Sequence, residues 1–134
     1  MFQQVILVFL GGAVGATLRE FLMLAVPTPQ DGFPYSIFVA NVAASFVLGM
    51  TNGLYSGGAI GTNSNLFVGT GLTGGMSTFS SFAYATFALL VASEIGLTVG
   101  LAYAVASVVV GFIAVIAGLK VGSVLSGSGS PTPR

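Results

Sequence analysis

The densest cluster of side chains able to do chemistry follows a glycine-rich stretch near the middle of the chain. It reads Ser77-Thr78-Phe79-Ser80-Ser81-Phe82. Phe79 and Phe82 are three residues apart, so they share a face of a helix, with four hydroxyl groups around them. Because an aromatic ring is positive at its edge, two ring edges beside a narrow path could stabilise an anion without a charged group. Ordinary packing of the two rings is the alternative interpretation.

Four more polar side chains lie within apolar segments. Asn41 follows Pro34 by seven residues, about 10 Å along a helix, and shares a helical face with Ser45. Tyr103 and Ser107 are one turn apart in the last apolar segment. An amide or hydroxyl at such depth either bonds to a neighbouring helix or lines a hydrated path. The spacing leaves both interpretations open.

One cation shares a helical stripe with two glycines near the N-terminus. Gly11, Gly15 and Arg19 follow each other at intervals of four residues. Small residues at this spacing let helix backbones approach closely, so we interpret both glycines as structural. Arg19 either extends to the membrane surface, pairs with Glu20, or supplies positive field for an anion.

The composition indicates a membrane protein. Of 134 residues, 54% are hydrophobic and 4% charged, and three basic and three acidic residues cancel to a net charge of zero. Globular proteins carry about 25% charged residues, so this chain has too little polar surface for a soluble domain. There is no Cys and no His, which argues against thiolate, disulfide, His-dependent metal and nucleophilic chemistry. We therefore predict that the protein is not an enzyme and, without a basic patch, has no nucleic-acid partner.

The six charged residues divide the chain into uncharged runs that predict four transmembrane helices of about 20 residues. We place the spans at about 4–25, 34–55, 66–92 and 97–122, in one all-α domain over 1–125. A loop rich in proline follows the first span, and a Ser-, Gly- and Pro-rich tail over 126–134 is predicted to be disordered. The first segment lacks a basic n-region and is predicted to be a span, not a signal peptide.

The third span is predicted to be broken at mid-membrane. Its centre, residues 69–78, is rich in glycine and hydroxyl residues, and each glycine weakens a helix by about 1 kcal/mol relative to alanine. A helix broken at this depth indicates an ion or substrate site. The basic residues give almost no orientation bias, because Arg19 lies toward one membrane face while Lys120 and Arg134 lie toward the other.

Three sequence blocks carry a family resemblance. The run Gly71-Leu72-Thr73-Gly74-Gly75-Met76-Ser77-Thr78-Phe79-Ser80-Ser81-Phe82 resembles the signature G-x-x-G-G-x-T-T-F-S-T-F of the Fluc/CrcB fluoride channels. The run Gly11-Gly12-Ala13-Val14-Gly15-Ala16-Thr17-Leu18-Arg19 is similar to the first-helix pattern G-G-x-x-G-A-x-x-R. Asn41 with Gly49 is similar to the second-helix pattern N-x-x-x-x-x-x-x-G. The resemblance covers residues 5 to about 122.

The resemblance implies a fluoride-specific channel for passive export of cytoplasmic fluoride across the cell membrane of bacteria. Its subunits would pack as an antiparallel dual-topology dimer, formed with a second copy or a paralogous subunit in the lipid bilayer. The fluoride pore residues it implies are Asn41, Phe79, Phe82, Tyr103, Ser107, Ser80 and Ser81. It further implies a structural sodium ion at the dimer interface, held by backbone carbonyls of Gly74 and Ser77 from both subunits.

The chain departs from the family pattern at several positions. Ser36-Ile37 stand where Gly-Thr is frequent, Ala83 and Ala85 replace a serine and a glutamate, and Gly111 replaces a serine. These changes remove polar groups, so one half of a heterodimeric channel and a non-conducting accessory subunit are alternatives. A small multidrug exporter is a further alternative. Such an exporter needs a membrane-embedded carboxylate, whereas Glu20 adjoins Arg19, and Asp31 and Glu94 fall in predicted loops.

Overall fold

The computed structural model describes residues 1–26, 33–92 and 96–127, which form helices and no strands. Four helical segments in this part of the chain are long and apolar enough to cross a membrane: Phe2–Ala25, Tyr35–Ser56, Thr62–Val91 and Gly96–Leu125. The predicted all-α fold with four spans is confirmed. Three charged residues lie outside the described residues: Asp31, Glu94 and Arg134. The predicted loop around Asp31, the predicted turn around Glu94 and tail residues 128–134 lie outside them as well.

The first two helices begin and end where the sequence supplies breakers. Helix α1 covers Phe2–Ala25. Helix α2 covers Tyr35–Ser56 and starts directly after Pro34, whose missing N–H costs nothing at a helix start. The chain leaves α2 through Gly57 and Gly58, and Gly58 has a φ of 74°. That left-handed backbone conformation is open to glycine and disfavoured for other residues.

The third span consists of two helices in line. Helix α3, residues 62–76, contains a π-helix over Asn65–Leu72 and ends with an α-helical turn over Thr73–Met76. Helix α4 covers Phe79–Val91. Between them Ser77 (φ −78°, ψ 152°) and Thr78 (φ −143°, ψ 104°) are extended. The predicted broken third helix is confirmed.

The break lies at the end of the glycine-rich stretch, and the glycines themselves are helical. Gly71 and Gly75 face α1, and a Cβ atom on either would overlap backbone atoms of that helix, at Val8 and Gly12. Close packing against α1 therefore offsets the low helix propensity of glycine here. As a result Gly74 lies in the last helical turn before the break, whereas Ser77 lies within it.

Helix α5 covers Gly96–Leu125 and packs along the whole of α2. A Cβ atom on Gly49 or Gly118 would overlap a backbone carbonyl of the facing helix. The contact between α1 and α3 is equally close, because Gly11 and Gly15 are buried against the carbonyls of Phe67 and Leu72. Helix α4 packs on the first turns of α5, at Gly100. Backbone contact between helices thus fixes the position of the break.

The outer surface of the bundle is apolar. Large side chains on the lipid-facing helices are mostly exposed, for example Phe9, Phe87 and Phe112. The buried core is correspondingly small, and its main cluster is Ala85, Leu89 and Tyr103 at one end of the bundle. Such a surface suits a hydrocarbon environment, in which exposed apolar side chains carry no cost.

Candidate functional site

The break in the third span is held from α2 by one side chain. The N–H of Thr78 donates to Asn41 Oδ1 at 2.7 Å. The Nδ2 of Asn41 donates to the carbonyl oxygen of Thr78 at 3.4 Å. One carboxamide therefore satisfies both backbone polar groups of an extended residue, groups that lipid could not satisfy. Asn41, predicted from sequence as a polar group at depth, lies at the break.

Thr78 in turn begins helix α4. Its Oγ1 accepts a hydrogen bond from the N–H of Ser81 at 3.2 Å, the usual role of an N-cap threonine. The Thr78 hydroxyl donates to Ser81 Oγ at 2.8 Å, and Ser80 Oγ lies 3.4 Å from Thr78 Oγ1. The hydroxyls of Ser80 and Ser81, both predicted pore residues, thus gather around the cap of α4.

Phe79 and Phe82 face one cavity of about 300 Å³ between α2, α4 and α5. Their ring centroids are 5.9 Å apart and the rings are tilted by 42°. Phe79 is 79% exposed, whereas Phe82 is partly buried. The cavity is also lined by Asn41, Ser45, Ser77, Ser107 and Val108. Two aromatic rings, an amide and three serines therefore surround one space that contains no charged side chain.

Tyr103 and Ser107 extend the polar groups along α5. Tyr103 is fully buried, with its ring 5.6 Å from that of Phe82 and 5.4 Å from that of Phe33. Ser107 lines the cavity itself. The buried hydroxyls of both residues make no hydrogen bond of good geometry within the described part of the chain. The Ser107 hydroxyl, which lies at the cavity, is therefore available to a ligand or to water.

A second cavity of about 320 Å³ continues from the first along the same face. Ser45 and Ser77 line both cavities. The further lining residues are Ala44, Leu48, Gly69, Thr70, Thr73 and Gly74. Gly74 and Ser77 are exposed, and a Cβ atom on Gly74 would meet nothing within 4 Å. The cavities therefore form one groove that is open on the outer side of the chain.

Arg19 contacts the other side of the break. Its guanidinium donates to the carbonyl oxygen of Gly75 at 3.3 Å, in the last turn of α3. A cation at a helix C-terminus is favourable because the free carbonyls there are partly negative. This contact supports the end of helix α3, and it differs from the three interpretations that the sequence left open for Arg19.

The structure brings together most of the residues selected from the sequence, and it gives Ser45 and Thr78 roles that the sequence did not indicate. Ser45 shares the Asn41 face and lines both cavities. Thr78 was embedded in the recognised motif, but its capping role was missed. A threonine directly before the apolar run that starts at Phe79 is the N-cap signal that indicates it. No group of three or more His, Cys, Asp or Glu side chains able to hold a metal occurs in the described residues.

The fold and the groove define a class of protein: a multi-pass helical membrane protein with a broken helix and an uncharged polar site beside the break. The sequence profile of the CrcB-like protein family, Camphor Resistance (CrcB), matches residues 6–119. The chain belongs to the CrcB-like family, and it is a multi-pass protein of the cell membrane.

Relatives of this chain have been named for one activity. It is 49% identical over 118 residues to the fluoride-specific ion channel FluC 3 of Yersinia pseudotuberculosis, covering 88% of this chain and 87% of the relative. It is 48% identical over 122 residues to FluC 1 of Brucella abortus, covering 91% of this chain and 45% of the relative. It is 38% identical over 126 residues to FluC of Thermus thermophilus, and the match covers 93% of this chain and 99% of the relative. The chain thus spans less than half the length of the Brucella relatives it matches.

Proposed function

We propose that this chain forms a fluoride-specific channel that lets cytoplasmic fluoride leave the cell passively. The observation that carries the proposal is the cavity at the break, where Phe79, Phe82, Asn41 and Ser107 converge without a charged side chain. Support also comes from relatives named as fluoride-specific ion channels, one of them 49% identical over most of both chains. A channel of this kind acts as a selective passage, so no catalytic residue is needed.

The proposed pore stabilises an anion with weak partners only. Ring edges of Phe79 and Phe82 carry partial positive charge, and the unpaired hydroxyls of Tyr103 and Ser107 are hydrogen-bond donors. A fixed cation in the pore would bind the anion too tightly, whereas several weak sites allow it both to enter and to leave. Fluoride is small and a strong hydrogen-bond acceptor, so hydroxyl and amide donors suit it.

We propose further that the channel is an antiparallel dimer of this chain. Exposed polar groups along the open groove include Thr70, Gly74, Ser77 and Ser80. Hydrocarbon cannot satisfy polar backbone at the break, so irregular backbone at membrane depth must be covered by protein or face water. A second copy placed over the groove would cover this surface and complete the pore walls. Balanced basic residues on the two faces favour insertion in both orientations.

The residues present at the groove fit a structural sodium ion. The carbonyls of Gly74 and Ser77 lie at the exposed side of the break, and two copies of the chain would supply four oxygen ligands. Oxygen ligands suit a hard cation, whose charge would favour an anion in a nearby pore. We expect the thermal midpoint of the purified protein to fall when sodium is replaced by potassium and to recover when sodium is returned. A midpoint independent of sodium would contradict this site.

The departures from the family pattern are compatible with conduction. Ile37 and Ala85, which stand where a threonine and a glutamate are frequent, line the same apolar cavity and pack in one cluster with Leu89 and Tyr103. Two positions that are frequently polar in the family are thus both apolar here and lie together. Neither of these residues lines the cavity of Phe79 and Ser107. This arrangement favours a conducting homodimer over an accessory subunit.

The test is fluoride efflux from proteoliposomes containing the purified chain alone. Vesicles are loaded with potassium fluoride, and efflux is followed with a fluoride electrode after valinomycin releases potassium. We expect rapid fluoride efflux and no comparable chloride efflux from matched vesicles. Efflux only after a second, dissimilar subunit is added would identify a heterodimer, and none in either case would exclude the channel.

A further inference from the structure

We propose that Asn41 is the positioning residue of the helix break: its carboxamide takes up the backbone of Thr78 and so keeps the carbonyl of Gly74 free. The contact joins α2 to the third span across 37 positions of sequence. This inference deepens the proposed function, and it rests on that function only for its consequence for flux. The role that it assigns to Asn41, holding the backbone of Thr78, does not require a bound ion.

The argument follows the backbone hydrogen bonds through the break. In a continuous α-helix the N–H of Thr78 would donate to the carbonyl of Gly74, four residues earlier. Instead that N–H donates to Asn41 Oδ1 at 2.7 Å. The preceding bond of the helix, from the N–H of Ser77 to the carbonyl of Thr73, is intact at 2.9 Å. The helix therefore loses its ladder at the residue that Asn41 contacts.

The side chain of Thr78 replaces a second backbone acceptor in the same way. The N–H of Ser81, which would bond to the Ser77 carbonyl in a continuous helix, donates to Thr78 Oγ1 at 3.2 Å. Two side-chain oxygens thus replace two backbone acceptors. The acceptors replaced are the carbonyls of Gly74 and Ser77, two exposed residues that line the groove. Asn41 supplies the first replacement, and the second depends on Thr78 being held in its extended conformation.

The geometry is compatible with a direct contact between Asn41 and an ion. The carboxamide has two N–H groups, and only one is used for the carbonyl of Thr78. An asparagine acting on the ion alone, however, would leave the protection of the Thr78 amide unchanged when it is replaced. That difference separates the positioning role from the ligand role.

The test is the exchange rate of the Thr78 amide proton, measured by NMR in lipid nanodiscs without fluoride. Asn41→Leu, nearly isosteric, and Asn41→Ala are prepared in parallel, so that either one decides if the other misfolds. Because a buried hydrogen bond is lost, we expect exchange about tenfold faster in these variants. Asn41→Asp keeps an acceptor oxygen and should restore protection to within about twofold of the native rate.

A matched control is available on the same helix. Thr51 is buried, and its hydroxyl donates to the carbonyl of Val47 at 2.8 Å, away from the break. Thr51→Val should leave the Thr78 amide unchanged. The proposal is overturned if Asn41→Leu or Asn41→Ala folds with native Thr78 exchange, or if Thr51→Val accelerates it equally. Because no flux is measured, a protein that conducts no fluoride could still pass this test.

The free carbonyl of Gly74 can be followed by NMR in the native protein. The ¹³C shift of the Gly74 carbonyl should change when potassium is replaced by sodium, and this response should disappear in Asn41→Leu. If the native Gly74 carbonyl does not respond but Thr78 exchange is faster in the variants, Asn41 remains the residue that positions the break. The same result would contradict a sodium site at this carbonyl. Absence of both effects would exclude the positioning role.

Discussion

Phe79 and Phe82 contribute differently to the stability of the chain, although both face one cavity. Phe79 is 79% exposed, so the single chain gains little from its packing. Phe82 is partly buried, and its ring lies 5.6 Å from that of the fully buried Tyr103. Their shared feature is that both rings line the cavity together with serines of the break. Side-chain substitutions can therefore separate ion stabilisation from packing.

Replacing either ring by isoleucine is expected to abolish fluoride efflux, because an aliphatic side chain has no positive edge. Phe82→Ile should also lower the free energy of unfolding by about 1 kcal/mol, because a packed ring is exchanged for a smaller side chain. Phe79→Ile should leave stability of the isolated chain nearly unchanged. The measurements are proteoliposome efflux and unfolding in detergent. Native efflux in Phe79→Ile would remove this ring from the pore.

Ala85 offers a second test at single-residue resolution. It is 7% exposed and packs in the cluster with Leu89 and Tyr103. Ala85→Glu, which introduces the residue frequent in the family, should destabilise the chain by about 3 kcal/mol, because a carboxyl group is buried among apolar side chains.

Combining Ala85→Glu with Ile37→Thr should recover part of that loss, because Ile37 lines the same cavity and a threonine there brings a hydroxyl partner. Unfolding of the single and double variants in detergent measures the coupling. A loss in the double variant equal to the sum of the losses in Ala85→Glu and Ile37→Thr would show that the two positions are independent.

The helix break shows which features of a helix are determined by nearby sequence and which depend on residues distant in sequence. Glycines and hydroxyl residues over 69–78 predicted a broken helix within the span, and the break exists. Its position could not be predicted from propensity, because Gly71 and Gly75 remain helical through contact with α1, while Thr78 is held extended from α2. Both causes involve residues distant in sequence. The charges and hydropathy, being local, sufficed to predict four spans.

The same limit applies to the site. Residue type and depth were enough to select Asn41 and the aromatic pair, and the family motif placed them at one site. Neither indicated that the Asn41 amide binds Thr78 or that Ser45 lines both cavities. Such facts depend on the register between α2 and α4, which is set by glycine contacts between helices. Single-sequence patterns contain no information about that register.

Contact between α2 and α5 predicts a contrast between two glycines of the same helix. A Cβ atom on Gly111 would meet only Ser45 Oγ, at 3.5 Å, an ordinary contact. A Cβ atom on Gly118 would overlap the carbonyl oxygen of Phe46. Gly111→Ala should therefore be neutral, and Gly118→Ala should cost about 2 to 3 kcal/mol by forcing the helices apart.

Unfolding in detergent measures the contrast, with circular dichroism to verify helix content. Gly111→Ser extends the comparison, because it adds a hydroxyl beside Ser45 and restores the residue frequent in the family. We expect it to fold like the native chain and to conduct at least as well. A destabilisation of Gly111→Ala equal to that of Gly118→Ala would contradict the α2–α5 packing described.

At the scale of the whole molecule, the single chain has two faces of different character. Most of its surface is apolar and suits lipid, but the groove beside α3 and α4 exposes Gly74, Ser77 and Ser80. A monomer in a bilayer would leave this polar strip against hydrocarbon, at considerable cost. The strip crosses the middle of the third span, so a partner that covers it must also be a membrane protein. An inverted copy of the chain would place the same strip against itself.

The inverted pairing can be tested because the chain contains no cysteine. Ser56, exposed at the end of α2, is replaced by cysteine and labelled in intact cells with a membrane-impermeant maleimide. Arg19 and Lys120 lie toward opposite membrane faces, so neither orientation is favoured by basic residues. We therefore expect the maleimide to label about half of the chains. Labelling of all chains, or of none, would contradict dual topology.

Biasing the orientation links topology to function. Asn63 and Ala92 are exposed at opposite ends of the third span, so Asn63→Lys and Ala92→Lys should fix opposite orientations by drawing different ends to the cytoplasm. In cells that express one variant, Ser56→Cys labelling should be nearly uniform and fluoride efflux should fall, because no inverted partner is present. Expression of both variants together should restore efflux. Full efflux from either variant alone would show that the pore does not require the antiparallel pair.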